Sequence, residues 1–165
     1  MARITKKRLI TILVTLSLLA AGCLILFIYH CINVSLEAEI TYGANWTILV
    51  VLETYMIENP GRWPASWDEL ERTSIPAEQQ RMFYWPDDID KFKKRVHVEF
   101  GLSLQEVADM VTPEQVKRGD FDNFTAVRPI GPNYGPCESN LGHFMEVVWR
   151  ENSKAKQRNA LQKER

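Results

Sequence analysis

Residues 9 to 32 read LITILVTLSLLAAGCLILFIYHCI, 24 positions without one Asp, Glu, Lys or Arg. As a helix this stretch would be about 36 Å long, enough to cross the roughly 30 Å hydrocarbon layer of a bilayer with some tilt. Its Thr and Ser hydroxyls can bond back to the helix's own carbonyls, which keeps their cost in lipid low. Tyr29 and His30 fall where an interfacial belt is expected. The chain therefore has to be built around a lipid-facing helix, and the remaining residues have room for one modest domain.

Charge is segregated around that helix. Residues 1 to 8 carry Arg3, Lys6, Lys7 and Arg8 with no acid, for +4. Residues 33 to 149 hold 19 acids against 10 bases, for −9, and residues 150 to 165 hold six bases against Glu151 and Glu164, for +4. The net charge of −1 is the sum of these unlike parts. With the short-loop positive charge placed before the helix, the positive-inside rule puts residues 1–8 in the cytoplasm and residues 33 onward beyond the cell membrane, which is crossed once. The expected organisation is a cytoplasmic tail at 1–8, a transmembrane helix at 9–32, an extracytoplasmic domain at 33–149 and a basic tail at 150–165.

A cleaved signal peptide shares the basic start, but its apolar core normally spans only about 7 to 15 residues. Leu19-Ala20-Ala21-Gly22-Cys23 resembles a bacterial lipobox, in which Cys23 would be acylated. Against that reading, the chain stays apolar for nine residues after Cys23. With lipidation or without it, the domain stays on the lipid bilayer.

Beyond the span, SLEAEITYGANWTILVVLETYMIE (residues 35–58) repeats Leu36, Ile40, Trp46, Leu49, Leu52 and Met56 at helical spacing, with Glu37, Glu39, Glu53 and Glu58 mostly off the stripe. The spacing predicts an amphipathic continuation of the membrane helix. Asn59-Pro60-Gly61 should end it, since Pro lacks an amide hydrogen and Gly tolerates a left-handed turn. In Gly61-Arg62-Trp63-Pro64-Ala65-Ser66-Trp67-Asp68-Glu69-Leu70, Ser66 is the expected N-cap of a short helix through Glu71, with Glu69 completing a capping box. Trp63 and Trp67 bracket the cap. They suit a hydrophobic clamp holding this turn to the long helix, or an aromatic shelf for a ligand.

This order of elements resembles the type IV pilins and type II secretion pseudopilins, through Tyr55, Gly61, Trp63, Pro64 and Leu70 and the helix before them, over residues 5–75. The resemblance implies a pilin-like α+β fold, with the long helix packed on a small, mainly antiparallel sheet, and other pilin-like or secretion-system proteins as partners. The chain departs from that family where its assembly is decided. No Gly precedes Leu9, no Phe-Thr-x-x-Glu-like stretch opens the apolar helix, and the first acid is Glu37. A carboxylate in lipid is costly and is kept for a partner, so its absence removes the family's assembly contact. A pilin-like fold outside a filament is the expectation.

Further on, Arg95-Val96-His97-Val98-Glu99-Phe100 alternates as a half-buried strand does, and residues 124–128 and 144–149 are the second and third strand candidates. Ser103-Leu104-Gln105-Glu106 and Thr112-Pro113-Glu114-Gln115 open two short helices. An α+β domain follows. The loop at 129–142, PIGPNYGPCESNLG, is expected to be irregular, with Tyr134 as its one large aromatic and a candidate partner surface.

No catalytic set can be assembled. The three His are far apart, and neither H-E-x-x-H nor C-x-x-C spacing occurs. Asp87-Asp88-Ile89-Asp90 and Asp120-Phe121-Asp122-Asn123 offer oxygens for calcium without the spacing of an EF-hand. Nucleotide fingerprints and a nucleophile elbow are absent, so no enzyme, metal or cofactor is expected. Cys23 and Cys31 lie in the apolar span, which leaves Cys137 as the thiol that could join two copies of the chain. The tail at 150–165 reads as disordered or as a frayed helix and lacks the aromatics that nucleic-acid binding favours. Two functions fit: a membrane-anchored structural or interaction protein, and a tethered ligand-binding module using Trp63, Trp67 and the 129–142 loop.

Overall fold

The computed structural model describes residues 6–73, 89–133 and 138–163. The elements in chain order are α1 (Lys6–Glu58), α2 (Trp67–Glu71), α3 (Ile89–Lys93), β1 (Val96–Val98), α4 (Leu104–Asp109), α5 (Pro113–Arg118), β2 (Val127–Pro129) and α6 (Glu138–Lys163). The chain divides into two compact units, residues 1–37 and 38–165.

In the first unit α1 exposes large apolar side chains on every side. Those between Ile10 and Ile32 are 47% to 69% exposed. Thr11 Oγ1 donates to the Lys7 carbonyl at 3.0 Å and Thr15 Oγ1 to the Thr11 carbonyl at 2.9 Å, so these hydroxyls are satisfied within the helix as expected. Burial of one such side chain is worth about 1.5–3 kcal/mol, and more than a dozen left in water would be a heavy penalty. By length and composition the helix is compatible with a membrane anchor.

In the second unit the same helix is a central core element. Ile48, Val51, Leu52 and Met56 are fully buried, and Ala44, Leu49 and Tyr55 nearly so. The predicted stripe is corrected at its start: Leu36 and Ile40 are 52% and 55% exposed. Thr41, Asn45, Thr47 and Thr54 are buried instead. The reason lies in the Thr hydroxyls, since Thr47 Oγ1 donates to Gly43 O and Thr54 Oγ1 to Val50 O, both at 2.9 Å. A Thr that closes its own hydrogen bond can occupy a core position, which a stripe of large apolar residues overlooks.

The helix ends as its sequence predicts. The Asn59 amide and its Nδ2 both donate to Tyr55 O, at 2.8 and 3.1 Å, and Gly61 adopts φ +83°. A Cβ on Gly61 would also come within 2.7 Å of the Ala155 Cβ in α6. Backbone conformation and close approach both require glycine here.

The sheet has two strands, paired antiparallel with Val96 opposite Pro129, His97 opposite Arg128 and Val98 opposite Val127. Hydrogen bonds from Glu99 N to Ala126 O and from Ile130 N to Arg95 O, each 2.8 Å, extend the ladder at both ends. The third predicted strand is a correction, because residues 144–149 lie inside α6. Leu141, Phe144, Met145, Val148 and Asn152 are all buried, which is helical spacing. Six residues were too short a window to separate the two periods. The mixed α and β character stands, with helices supplying most of the packing.

α6 also shortens the predicted 129–142 loop, since helix begins at Glu138, and it carries the basic tail as helix to Lys163. Glu151 and Asn152 are buried, so the core extends past the expected boundary at residue 149. The capping boxes of α4 and α5 form as predicted, at Ser103 with Glu106 and at Thr112 with Gln115.

Candidate functional site

Several hydrogen bonds hold the segment between α1 and α2. Tyr55, one turn before the end of α1, donates its phenol to Glu69 Oε2 at 2.6 Å, and the Ala65 amide donates to the same oxygen at 2.9 Å. Arg62 Nη2 lies 3.6 Å from Glu69 Oε1. Ser66 does take the N-cap position of α2, but its side chain makes no capping bond. Glu69 therefore reaches back to the residue before the cap, which corrects the predicted capping box. The cause is Tyr55, a partner 14 residues away that draws the carboxylate across the turn. The phenol and then the Ala65 amide hold the Glu69 carboxyl below the usual range. Burial and the Glu69 hydrogen bond together push the Tyr55 phenol up to about 12.

Trp63 is 5% exposed, donates from Nε1 to the Glu99 carbonyl at 2.8 Å and meets Phe144 edge to face at 6.4 Å. Its ring is a core element. Trp67 is half-buried between Phe92 at 6.2 Å and Phe100 at 5.6 Å, both edge to face. Lys93 stands 5.7 Å from its ring centroid and 2.8 Å from Glu71 Oε1. The ammonium stands over the Trp67 ring while it pairs with the Glu71 carboxylate. The two indoles thus pin the connection through different partners, and only Trp67 keeps part of a ring toward solvent. Tyr134, Cys137, Asp87 and Asp88 lie outside the described residues. Cys23 is exposed on the apolar part of α1, as is Cys31.

Among the described residues no group of three or more His, Cys, Asp and Glu could hold a metal ion. Asp120 Oδ1 instead accepts from the Asp122 amide at 3.4 Å within its own turn.

Sequence reasoning overlooked the ties made by α6. Trp149 Nε1 donates to Ala108 O at 3.0 Å, and Asn152 Nδ2 donates to Gln105 Oε1 at 3.1 Å, fastening α6 to α4. The buried Glu151 accepts from Lys154 Nζ at 2.8 Å and from Arg150 Nε at 3.3 Å. Burial raises its pKa, but these two cations outweigh that and hold it low. His143 Nε2 lies 3.5 Å from Glu53 Oε1 of α1. The available signal was the i, i+3 spacing of Val148, Glu151 and Lys154 on one helix.

Among the described residues the arrangement organises a connection and a helix pair. No protein-family model, curated protein or solved structure matches the chain.

Proposed function

We propose that this chain is a single-pass membrane-anchored protein, with its N-terminus in the cytoplasm and its domain beyond the cell membrane, that serves a structural or protein-interaction role at the cell envelope. The observation that carries the anchor is the stretch of α1 over residues 10–32, which has no charged side chain and exposes large apolar side chains on every side. Only an apolar solvent makes such a surface favourable. The basic residues before it support the orientation. The pilin-like order of elements over residues 5–75 supports the interaction role and other pilin-like or secretion-system proteins as partners. The missing Gly and Glu argue against a filament subunit. A ligand shelf is less favoured, because the Trp63 ring is occupied by the core.

Alkaline carbonate extraction of membranes tests the anchor, and the protein should stay in the pellet. Protease added outside intact cells should digest the domain and spare residues 1–8. Release by carbonate would sink the anchor, and a protected domain would reverse the orientation. For the role, crosslinking in intact membranes should capture a partner protein, and recovery of monomer alone would count against it.

A further inference from the structure

Leu36 and Ile40 lie beyond the uncharged span of α1 and are still about half exposed. Four positions apart, they share one face of the helix, and the same face runs back through Ile32, Tyr29 and Ile25, which are exposed as well. It runs forward through Gly43, where an added Cβ would meet nothing within 4 Å, to the buried Thr47. The opposite face is covered earlier, since Ala38, Thr41, Asn45 and Ile48 are all buried. Cover therefore begins at Ala38 on one face and at Thr47 on the other, about 14 Å further along the helix.

Position along α1 and composition both say what lies against the late-covered face. From Ile10 to Ile40 the helix is about 45 Å long, close to the roughly 40–45 Å of a bilayer with its headgroups, whereas the uncharged stretch matches the hydrocarbon alone. Residues 33 to 40 read NVSLEAEI, so Leu36 and Ile40 stand among Asn33, Ser35, Glu37 and Glu39. Hydrocarbon would reject the two carboxylates, and water would leave the two aliphatic side chains unsheltered. The boundary between headgroups and acyl chains accepts both, with apolar side chains entering from one side of a helix and polar ones reaching water. A protein partner fits less well. A stable protein interface draws on roughly 20–30 residues a side, and between Ile32 and the buried Thr47 this face offers two large apolar side chains.

We propose that phospholipids of the leaflet on the domain side cover Leu36 and Ile40, so that this face of α1 keeps its lipid contact about two turns past Ile32. The contact rests on the membrane anchor proposed above and extends it to the point where the chain's own core takes over. Gly43 then falls between the two coverings, and it has no side chain to shelter.

The test uses the full chain carrying Cys23→Ala, Cys31→Ala and Cys137→Ala, with one new cysteine at a time, labelled with nitrobenzoxadiazole and placed in phosphatidylcholine vesicles. Quenching by phosphatidylcholine bearing a nitroxide next to its headgroup is compared with quenching by iodide present on both sides. Ile25→Cys should be shielded from iodide and Lys156→Cys open to it, which sets the two limits. Leu36→Cys and Ile40→Cys should be quenched several-fold more by the nitroxide lipid than by iodide. All four positions are exposed, and thermal unfolding of each labelled chain checks that the core survives. If Ile25→Cys is shielded while Leu36→Cys and Ile40→Cys respond to iodide as Lys156→Cys does, the anchor stands and the proposal falls. Silence toward both quenchers at Leu36→Cys and Ile40→Cys would put a second copy of the chain there and overturn it as well. Iodide quenching at all four positions would remove the anchor itself, and the lipid contact with it.

Discussion

The two halves of α1 share a helical backbone and differ in what covers their apolar side chains. Residues 10–32 expose their large apolar side chains, whereas residues 44–56 bury almost all of theirs. Thr appears in both halves and closes the same bond to the carbonyl four residues back, at 2.9–3.0 Å. Hydrophobicity alone therefore does not distinguish a lipid-facing helix from a core helix. The distinguishing feature is what the rest of the chain provides: later residues pack on the second half, and bilayer is the proposed surrounding of the first.

The largest effect that would break this comparison comes from charging the first half. Leu16→Asp together with Leu19→Lys should cost roughly 5–7 kcal/mol of insertion and move the protein out of the carbonate-resistant fraction. In the second half, Leu52→Ala should lower the unfolding free energy of the domain by about 2–5 kcal/mol in denaturant titration, while Leu18→Ala should leave it unchanged. Gly61→Ala comes next, at about 1–3 kcal/mol from the left-handed backbone and the Ala155 contact. The smallest effect concerns pH at the end of α1. Tyr55 contributes stability that is fully present below pH 10 and is lost as pH rises toward about 12, because the folded protein favours the protonated phenol. Glu69, held low, contributes stability that is lost as pH falls through its depressed folded pKa. Tyr55→Phe should flatten the alkaline arm of a pH–melting profile, and an unchanged arm would show that the phenol is not responsible.

Features whose signals are local were legible in the sequence. The apolar span, the Asn59-Pro60-Gly61 stop and the capping boxes at Ser103 and Thr112 each depend on residues within a few positions of one another. What escaped depends on distant partners. Glu69 abandons the cap geometry because Tyr55 is within reach. Residues 144–149 read as a strand until Leu141 and Asn152 are added to the pattern. The burial of Glu151 needs two cations that a count of tail charges treats as solvated. Of the candidate site, Trp63 and Trp67 were expected to clamp this turn to the long helix; their rings meet the Glu99 carbonyl, Phe144 and the Phe92–Phe100 pair instead, and Tyr55 with Glu69 makes the tie to α1.

The pairing of α1 with α6 also sets an order in time. Glu53 meets His143, and Gly61 meets Ala155, across about ninety residues of chain. At roughly 5–20 residues per second, synthesis leaves the core face of α1 without its packing partner for about 5–20 s. During that interval Ile48, Leu52 and Met56 are exposed to other apolar surfaces, as the apolar residues between Ile10 and Ile32 are. A ribosome pausing between residues 60 and 140 would therefore prolong the state most prone to aggregate, and a chain truncated before α6 would remain in it.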